Sequence, residues 1–251
     1  MYYDSHCHIY KEYYDDIDAL MDDLNQNNIK LIINNGVDKI SSEEILRLIN
    51  KYPIMYGAIG IHPETVDEYD DNDIAFIKNH IKDNKMLAIG EIGLDYHYSK
   101  ENKERQIDLF EKQLKIAEEQ SMPVIVHSRE ATADTINVLK KYNIKGIIHS
   151  FSGSYETAMI YIKMGYKLGI NGVITFKNSN LKDVVEKIGL ENIVIETDSP
   201  YLTPHPFRGE KNSPKNVKII VEFLSNLFRI SPEKVAEITS KNLLEFFDIE
   251  W

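Results

Sequence analysis

Apolar positions along the chain alternate between two rhythms. Eight short runs, at residues 2–9, 31–37, 55–61, 87–92, 124–127, 146–149, 167–170 and 193–196, read as strands. Several are continuous Ile, Val and Leu, the composition of parallel strands covered on both faces. The gaps carry helical spacing. Ile17, Leu20, Met21 and Leu24 fall at i, i+3, i+4 and i+7. Ser41 and Glu44 have capping-box spacing ahead of Ile45, Leu48 and Ile49. Ile74, Ile77 and Ile81 form another stripe, and Ile107, Phe110, Leu114 and Ala117 a longer one. Ile136 with Leu139, and Ala158 with Ile162, mark shorter helices, Ser154 capping the second. Leu181, Val184, Val185 and Ile188 close before Gly189, a C-terminal stop. Pro214 can open a helix through Val217, Ile220, Val221, Leu224 and Phe228, and Ser231-Pro232 a last one through Val235, Ile238 and Phe246.

Eight strand–helix units with no internal repeat and no flexible linker predict an α/β chain of the (β/α)8 TIM barrel class, one domain over residues 1–251. The rival is a doubly wound open sheet. That fold usually places a glycine-rich phosphate loop after its first strand, whereas here the first strand ends in histidines.

Composition narrows the classes. No run of about 18 apolar residues exists to span a membrane. The first ten residues lack the basic-then-apolar layout of a signal peptide. A lone cysteine, Cys7, forms no internal disulfide and suits a reducing, cytoplasmic setting. The net charge of −11 argues against a broad electrostatic footprint for duplex DNA. It leaves room for a phosphate substrate held by metal ions and a few local cations.

The chemistry lies at the strand ends. In Ser5-His6-Cys7-His8, positions i and i+2 of a strand share a face, so His6 and His8 point together and Cys7 points into packing. The fourth strand ends in Gly90-Glu91-Ile92-Gly93-Leu94-Asp95, the fifth in His127, the sixth in His149, and the eighth in Glu196-Thr197-Asp198. A carboxylate at the end of so apolar a strand is costly unless paired or metal-bound. In a parallel barrel these ends meet at the active-site face. Six candidate ligands exceed what one zinc-like ion with an open position takes and suit two divalent ions. His6, His8 and Asp198 can hold one, His127 and His149 the other, with Glu91 bridging. Imidazole and carboxylate donors admit Zn, Mn, Fe or Ni, and Mg less comfortably. Paired ions activate water and clamp the oxygens of a phosphoryl displacement. Asp198 is the candidate base orienting that water; the plainer reading of Asp198 is a helix N-cap before Ser199-Pro200.

Further candidates surround this set. His62, in Gly60-Ile61-His62-Pro63, reads as a substrate contact or acid, or simply as part of a turn. Arg129 follows His127 and can meet a phosphate oxygen bidentately, or pair with a local acid. The loop Pro204-His205-Pro206-Phe207-Arg208-Gly209-Glu210-Lys211-Asn212 concentrates Arg208 and Lys211 after the last strand. It reads as substrate-binding, or as a solvated loop. His97 lies near the mouth, and Tyr96 and Tyr201 can stack on a base.

Taken together, Asp4-Ser5-His6-Cys7-His8, Gly60-Ile61-His62-Pro63, Gly90-Glu91-Ile92-Gly93-Leu94-Asp95-Tyr96, Pro123-Val124-Ile125-Val126-His127-Ser128-Arg129, Ile148-His149-Ser150-Phe151-Ser152-Gly153, Glu196-Thr197-Asp198-Ser199-Pro200 and Arg208-Gly209 resemble the TatD-related hydrolases of the amidohydrolase superfamily over essentially the whole chain. The resemblance implies a barrel, a two-metal site on His6, His8, Glu91, His127, His149 and Asp198, and a metal-dependent exonuclease acting on single-stranded DNA. Ser150 and His97 depart from the family's usual residues, outside the ligand set. Fold alone does not name a substrate. A small-molecule or D-aminoacyl-ester or amide hydrolase, or a non-catalytic metal-stabilised binding protein, remain the alternatives. No protein partner and no membrane are expected.

Overall fold

A computed structural model describes residues 1–250. Among the described residues eight strands alternate with nine α-helices in chain order: β1 (Tyr2–Cys7), α1 (Ile17–Gln26), β2 (Ile29–Asn35), α2 (Lys39–Lys51), β3 (Met55–Ile59), α3 (Asp71–His80), β4 (Met86–Asp95), α4 (Lys103–Gln120), β5 (Val124–Arg129), α5 (Thr132–Leu139), β6 (Gly146–Ile148), α6 (Tyr155–Lys163), β7 (Lys167–Ile170), α7 (Leu181–Ile188), β8 (Ile193–Ile195), α8 (Val217–Phe228) and α9 (Pro232–Phe247). This is the (β/α)8 barrel class the periodicity predicts, not the open doubly wound sheet. The chain forms two compact units, Met1–Asn34 with Ser150–Lys163 and the chain from Lys167 on, and Asn35–His149 with Met164–Tyr166.

In the first unit β1 pairs in parallel with β2, and β7 with β8. A parallel bridge from Cys7 to Ser199 sets the first strand beside the segment following the last. Two further bonds reinforce it: the Asp198 amide donates to the His6 carbonyl at 2.9 Å, and the His8 amide to the Ser199 carbonyl at 2.7 Å. The helix α9 starts where Ser231 accepts from the Lys234 amide, with Pro232 at its first turn. Its Asn242 amide then donates to the carbonyls of Leu190 and Ile193, at 2.7 and 2.8 Å, fixing the start of β8. Ser154 caps α6 through the Thr157 amide, as its position predicts. Gly189, at φ 80°, ends α7.

In the second unit β3, β4, β5 and β6 pair in parallel in that order. Two glutamines on the buried face of α4 hold its strand ends. Gln113 accepts from the Ile61 amide and donates to the Ile61 carbonyl, at 2.8 and 3.0 Å. Gln106 does the same for Asp95, at 2.8 Å each way. Buried backbone groups beyond a ladder need such partners. One local expectation is corrected: the capping box of α2 is Asp38 with Ser41, not Ser41 with Glu44. Asp38 is extended and its carboxylate accepts the Ser41 amide at 2.8 Å, so the helix begins a turn earlier than the apolar stripe suggests.

Candidate metal centre

The first unit assembles a three-donor group. His6 lies on β1 and His8 just beyond its end, so the strand is one residue too short for the i, i+2 rule to place both; both are nevertheless buried. Their Nε2 atoms stand 3.0 Å apart. The Asp198 Oδ1 lies 3.7 Å from the first and 3.4 Å from the second. All three donor atoms fall within 4.8 Å of one another, the spacing of a metal-ligating set. For the His8 Nε2 to offer a lone pair, its Nδ1 must carry the proton and donate it to the Tyr10 hydroxyl at 2.9 Å. Asp198 is not a helix cap: no helix follows it, and its backbone is left-handed at φ 57°. That conformation, unusual outside glycine but tolerated by aspartate, is held by the bond to His6 and by the Tyr201 amide donating to its carbonyl at 2.8 Å. Cys7 points away, its thiol against the Ile33 carbonyl at 3.4 Å.

Beneath this group lie two acids that the strand-end pattern leaves without a role. Asp4 is fully buried and accepts the Thr197 amide at 2.9 Å and the Thr197 hydroxyl. Burial pushes its carboxyl well above the usual range, against the pull of those bonds. Glu196 is also fully buried, accepting the Ser150 amide at 2.7 Å. A side chain at Gly169 would stand 2.1 Å from the Glu196 carboxylate, so only glycine leaves β7 room for it. The adjoining acids in Glu196-Thr197-Asp198 were the available signal for Glu196.

In the second unit the centre is Glu91. Its Oε1 lies 2.8 Å from the His127 Nδ1, 3.7 Å from the His62 Nε2 and 3.7 Å from the His149 Nε2. His62, Glu91 and His127 again fall within ligand spacing. The structure thus brings His127 and His149 to one carboxylate, and adds His62, which the sequence suggests only as a substrate contact. The His62 Nδ1 accepts from the Glu64 amide at 3.2 Å, opening the turn after β3. Asp95, at the end of β4, takes the other nitrogen of His127 at 2.8 Å. Burial works to lower the His127 pKa, but the bonds to Asp95 and Glu91 outweigh it and push it up to about 9. Burial works to raise Asp95 in turn, and its bonds from His127 and the His97 amide leave it lowered. Two imidazoles sharing carboxylates is the donor chemistry of a divalent-cation site.

The outer candidates divide. Arg129 ends β5 and lies over the Tyr98 ring at 5.2 Å, its guanidinium exposed. Lys211 sits 4.1 Å over Tyr14, and Arg208 3.8 Å over Phe176. Tyr201 is 49% exposed and bonds the Tyr13 hydroxyl at 2.9 Å, leaving a ring open to stacking. Tyr96 is not a stacking platform: it is buried and its hydroxyl donates to Asp134 at 3.0 Å. His97 pairs with Glu130 at 2.7 Å. Among the described residues no helix is long and apolar enough to cross a membrane.

Comparison with known proteins agrees with this chemistry. The model of the TatD related DNase family matches residues 3–248. The chain is 37% identical to an uncharacterized metal-dependent hydrolase, YabD, of Bacillus subtilis, covering 99% of this chain and all of that one. It is 36% identical to an uncharacterized metal-dependent hydrolase of Buchnera aphidicola, over 98% of each. Among solved structures it resembles the TatD homologue YjjV of Escherichia coli at 28% identity and a TM-score of 0.93, covering 99% and 98%. A (β/α)8 chain carrying histidine–carboxylate clusters and matching this family from end to end belongs to the TatD-related metal-dependent hydrolases.

Proposed function

We propose that the protein is a metal-dependent phosphodiesterase of the nuclease type, acting on single-stranded DNA. The observation that carries the reading is the convergence of the His6 Nε2, His8 Nε2 and Asp198 Oδ1, a preformed His₂Asp donor set. His127, His149 and Glu91 make the second set, and two divalent ions, Mg, Mn or Zn, are the proposed cofactors. In a (β/α)8 barrel the carboxyl ends of the strands form the active face, which supports reading each set as part of the active machinery. Such ions, when bound, acidify water and neutralise charge growing on phosphoryl oxygens.

The chain's own residues supply the rest. Asp198 accepts a proton from the attacking water, its carboxylate aimed by the left-handed turn. Arg129, Arg208 and Lys211 meet phosphate oxygens, and His62, close to Glu91, is placed to protonate a leaving oxygen or to ligate. The family name supports a nucleic-acid substrate, and the acidic charge of −11 favours a short single strand over duplex DNA. With one buried cysteine, we read the chain as a cytoplasmic protein of one barrel domain.

The test is hydrolysis of an end-labelled single strand by chelator-stripped protein reloaded with Mg²⁺, Mn²⁺ or Zn²⁺, beside Asp198→Asn. A metal-dependent ladder absent in the variant is expected. No cleavage with any ion would transfer the reading to an aminoacyl ester or amide.

A further inference from the structure

The segments that follow β7 and β8 border an open cavity of about 580 Å³, lined by Thr175, Phe176, Lys177, Asn178, His205 and Arg208. Its size lies in the range of small-molecule sites, roughly 300–1,000 Å³. Its charge is unusual for this molecule. The chain as a whole carries −11, yet the lining holds two cations, Lys177 and Arg208, and no acid. Lys177 and Arg208 are both exposed, and among the described residues neither forms an ion pair.

The cavity is built rather than accidental. Gly172 lets the two segments touch: a side chain there would stand 2.3 Å from the Leu202 carbonyl oxygen and 3.0 Å from the Pro204 nitrogen. Thr175 accepts the His205 amide at 2.9 Å and donates to the Gly172 carbonyl at 2.7 Å. Asn171 caps the turn through the Val173 amide at 3.1 Å. The Arg208 guanidinium lies 3.8 Å over the Phe176 ring, which holds the cation in place before any ligand arrives. A preordered cation costs less entropy to engage than a free one. Both segments leave the carboxyl ends of their strands, the end at which β1 carries His6 and is followed by His8.

We propose that this cavity is a nucleotide subsite. Lys177 and Arg208 take the phosphate, and the base packs against the Arg208–Phe176 pair. In a polynucleotide it would hold a unit beyond the scissile linkage. That last step rests on the phosphodiesterase reading; the recognition of a single nucleotide does not.

Calorimetric titration of the metal-loaded full chain with dAMP, deoxyadenosine and inorganic phosphate tests it, beside Phe176→Ala and Lys177→Gln. The wild type should bind dAMP at least tenfold more tightly than either fragment. Phe176→Ala should weaken dAMP binding about 5- to 100-fold, the range of one base–aromatic stack. Lys177→Gln, at an exposed loop position that folding does not need, should weaken it several-fold and flatten its salt dependence by about one ion. Equal dAMP affinity in all three proteins, or phosphate binding as tightly as dAMP, overturns the subsite. If single-stranded DNA is cleaved while the variants bind dAMP like the wild type, the subsite falls alone. If no DNA is cleaved yet the variants lose dAMP, the nuclease reading falls and the subsite stands.

Discussion

His6 and His8 turn their Nε2 atoms toward each other at 3.0 Å, with the Asp198 carboxylate 3.4 Å from the nearer. Two imidazole lone pairs at that distance require a cation between them or a shared proton. Metal loading should therefore stabilise the fold: an ion at 100 times its Kd contributes about 2.7 kcal/mol. For a chain of this size that raises Tm by roughly 5–10 °C. Thermal unfolding with and without chelator measures it. His8→Ala should abolish most of the metal-dependent rise; a full rise in that variant would count against this donor set.

Glu91 touches three histidines through one oxygen. Glu91→Ala should lower turnover by more than the roughly 100-fold that loss of an outer partner costs, and reduce bound metal. Glu91→Gln keeps the shape without the charge and should recover less than a tenth of the lost activity. Near-normal turnover in either variant, with metal content measured alongside, would sink the shared-carboxylate role.

Asp95 holds His127 from the side opposite Glu91. Asp95→Asn keeps the hydrogen bond but not the charge, and should weaken metal affinity about 10- to 100-fold while the fold survives. Titration of the stripped variant with Mn²⁺ followed by electron paramagnetic resonance reads this directly. Unchanged affinity would reduce Asp95 to packing.

His127 makes the metal-free protein pH-dependent. Its pKa in the fold is pushed up to about 9 from an ordinary 6.5. A raised folded-state value stabilises fully below the unfolded one and fades as pH climbs through 9. The stripped protein should lose up to about 3 kcal/mol between those limits. Metal uptake needs the neutral ring, so apparent metal affinity should rise across the same interval. Unfolding of stripped wild type and His127→Gln from pH 6 to 9.5 distinguishes them: the variant should lack the decline.

Asn212 anchors the basic loop. It is fully buried, donating to the Thr197 carbonyl at 2.9 Å and the Tyr201 carbonyl at 2.6 Å. Asn212→Ala leaves those carbonyls unsatisfied and should cost about 2–4 kcal/mol. Because the loop carries Arg208 and Lys211, KM should rise with it. Chemical denaturation and substrate kinetics on the same preparation would show whether both effects appear; an unaltered KM at reduced stability would detach the loop from substrate.

Periodicity alone was enough for the strand–helix alternation and the helix stripes, because each depends on residues near in sequence. His6 and His8 are two positions apart, but β1 ends at Cys7, and the bond from the His8 amide to the Ser199 carbonyl carries the extended course one residue further. What only the folded chain settles is which distant groups meet. Thr197 reaches Asp4 across 193 positions. His127 finds Asp95 on one nitrogen and Glu91 on the other, so its charge state follows from two carboxylates that no local pattern assigns to it. Tyr96, which reads as a ring able to stack on a base, is buried instead, its hydroxyl satisfied by Asp134. Arg208 comes to rest on Phe176 because a glycine lets two loops touch. Burial and hydrogen-bond satisfaction are decided by the whole packed interior, and a single chain segment carries no record of the partner that will complete it.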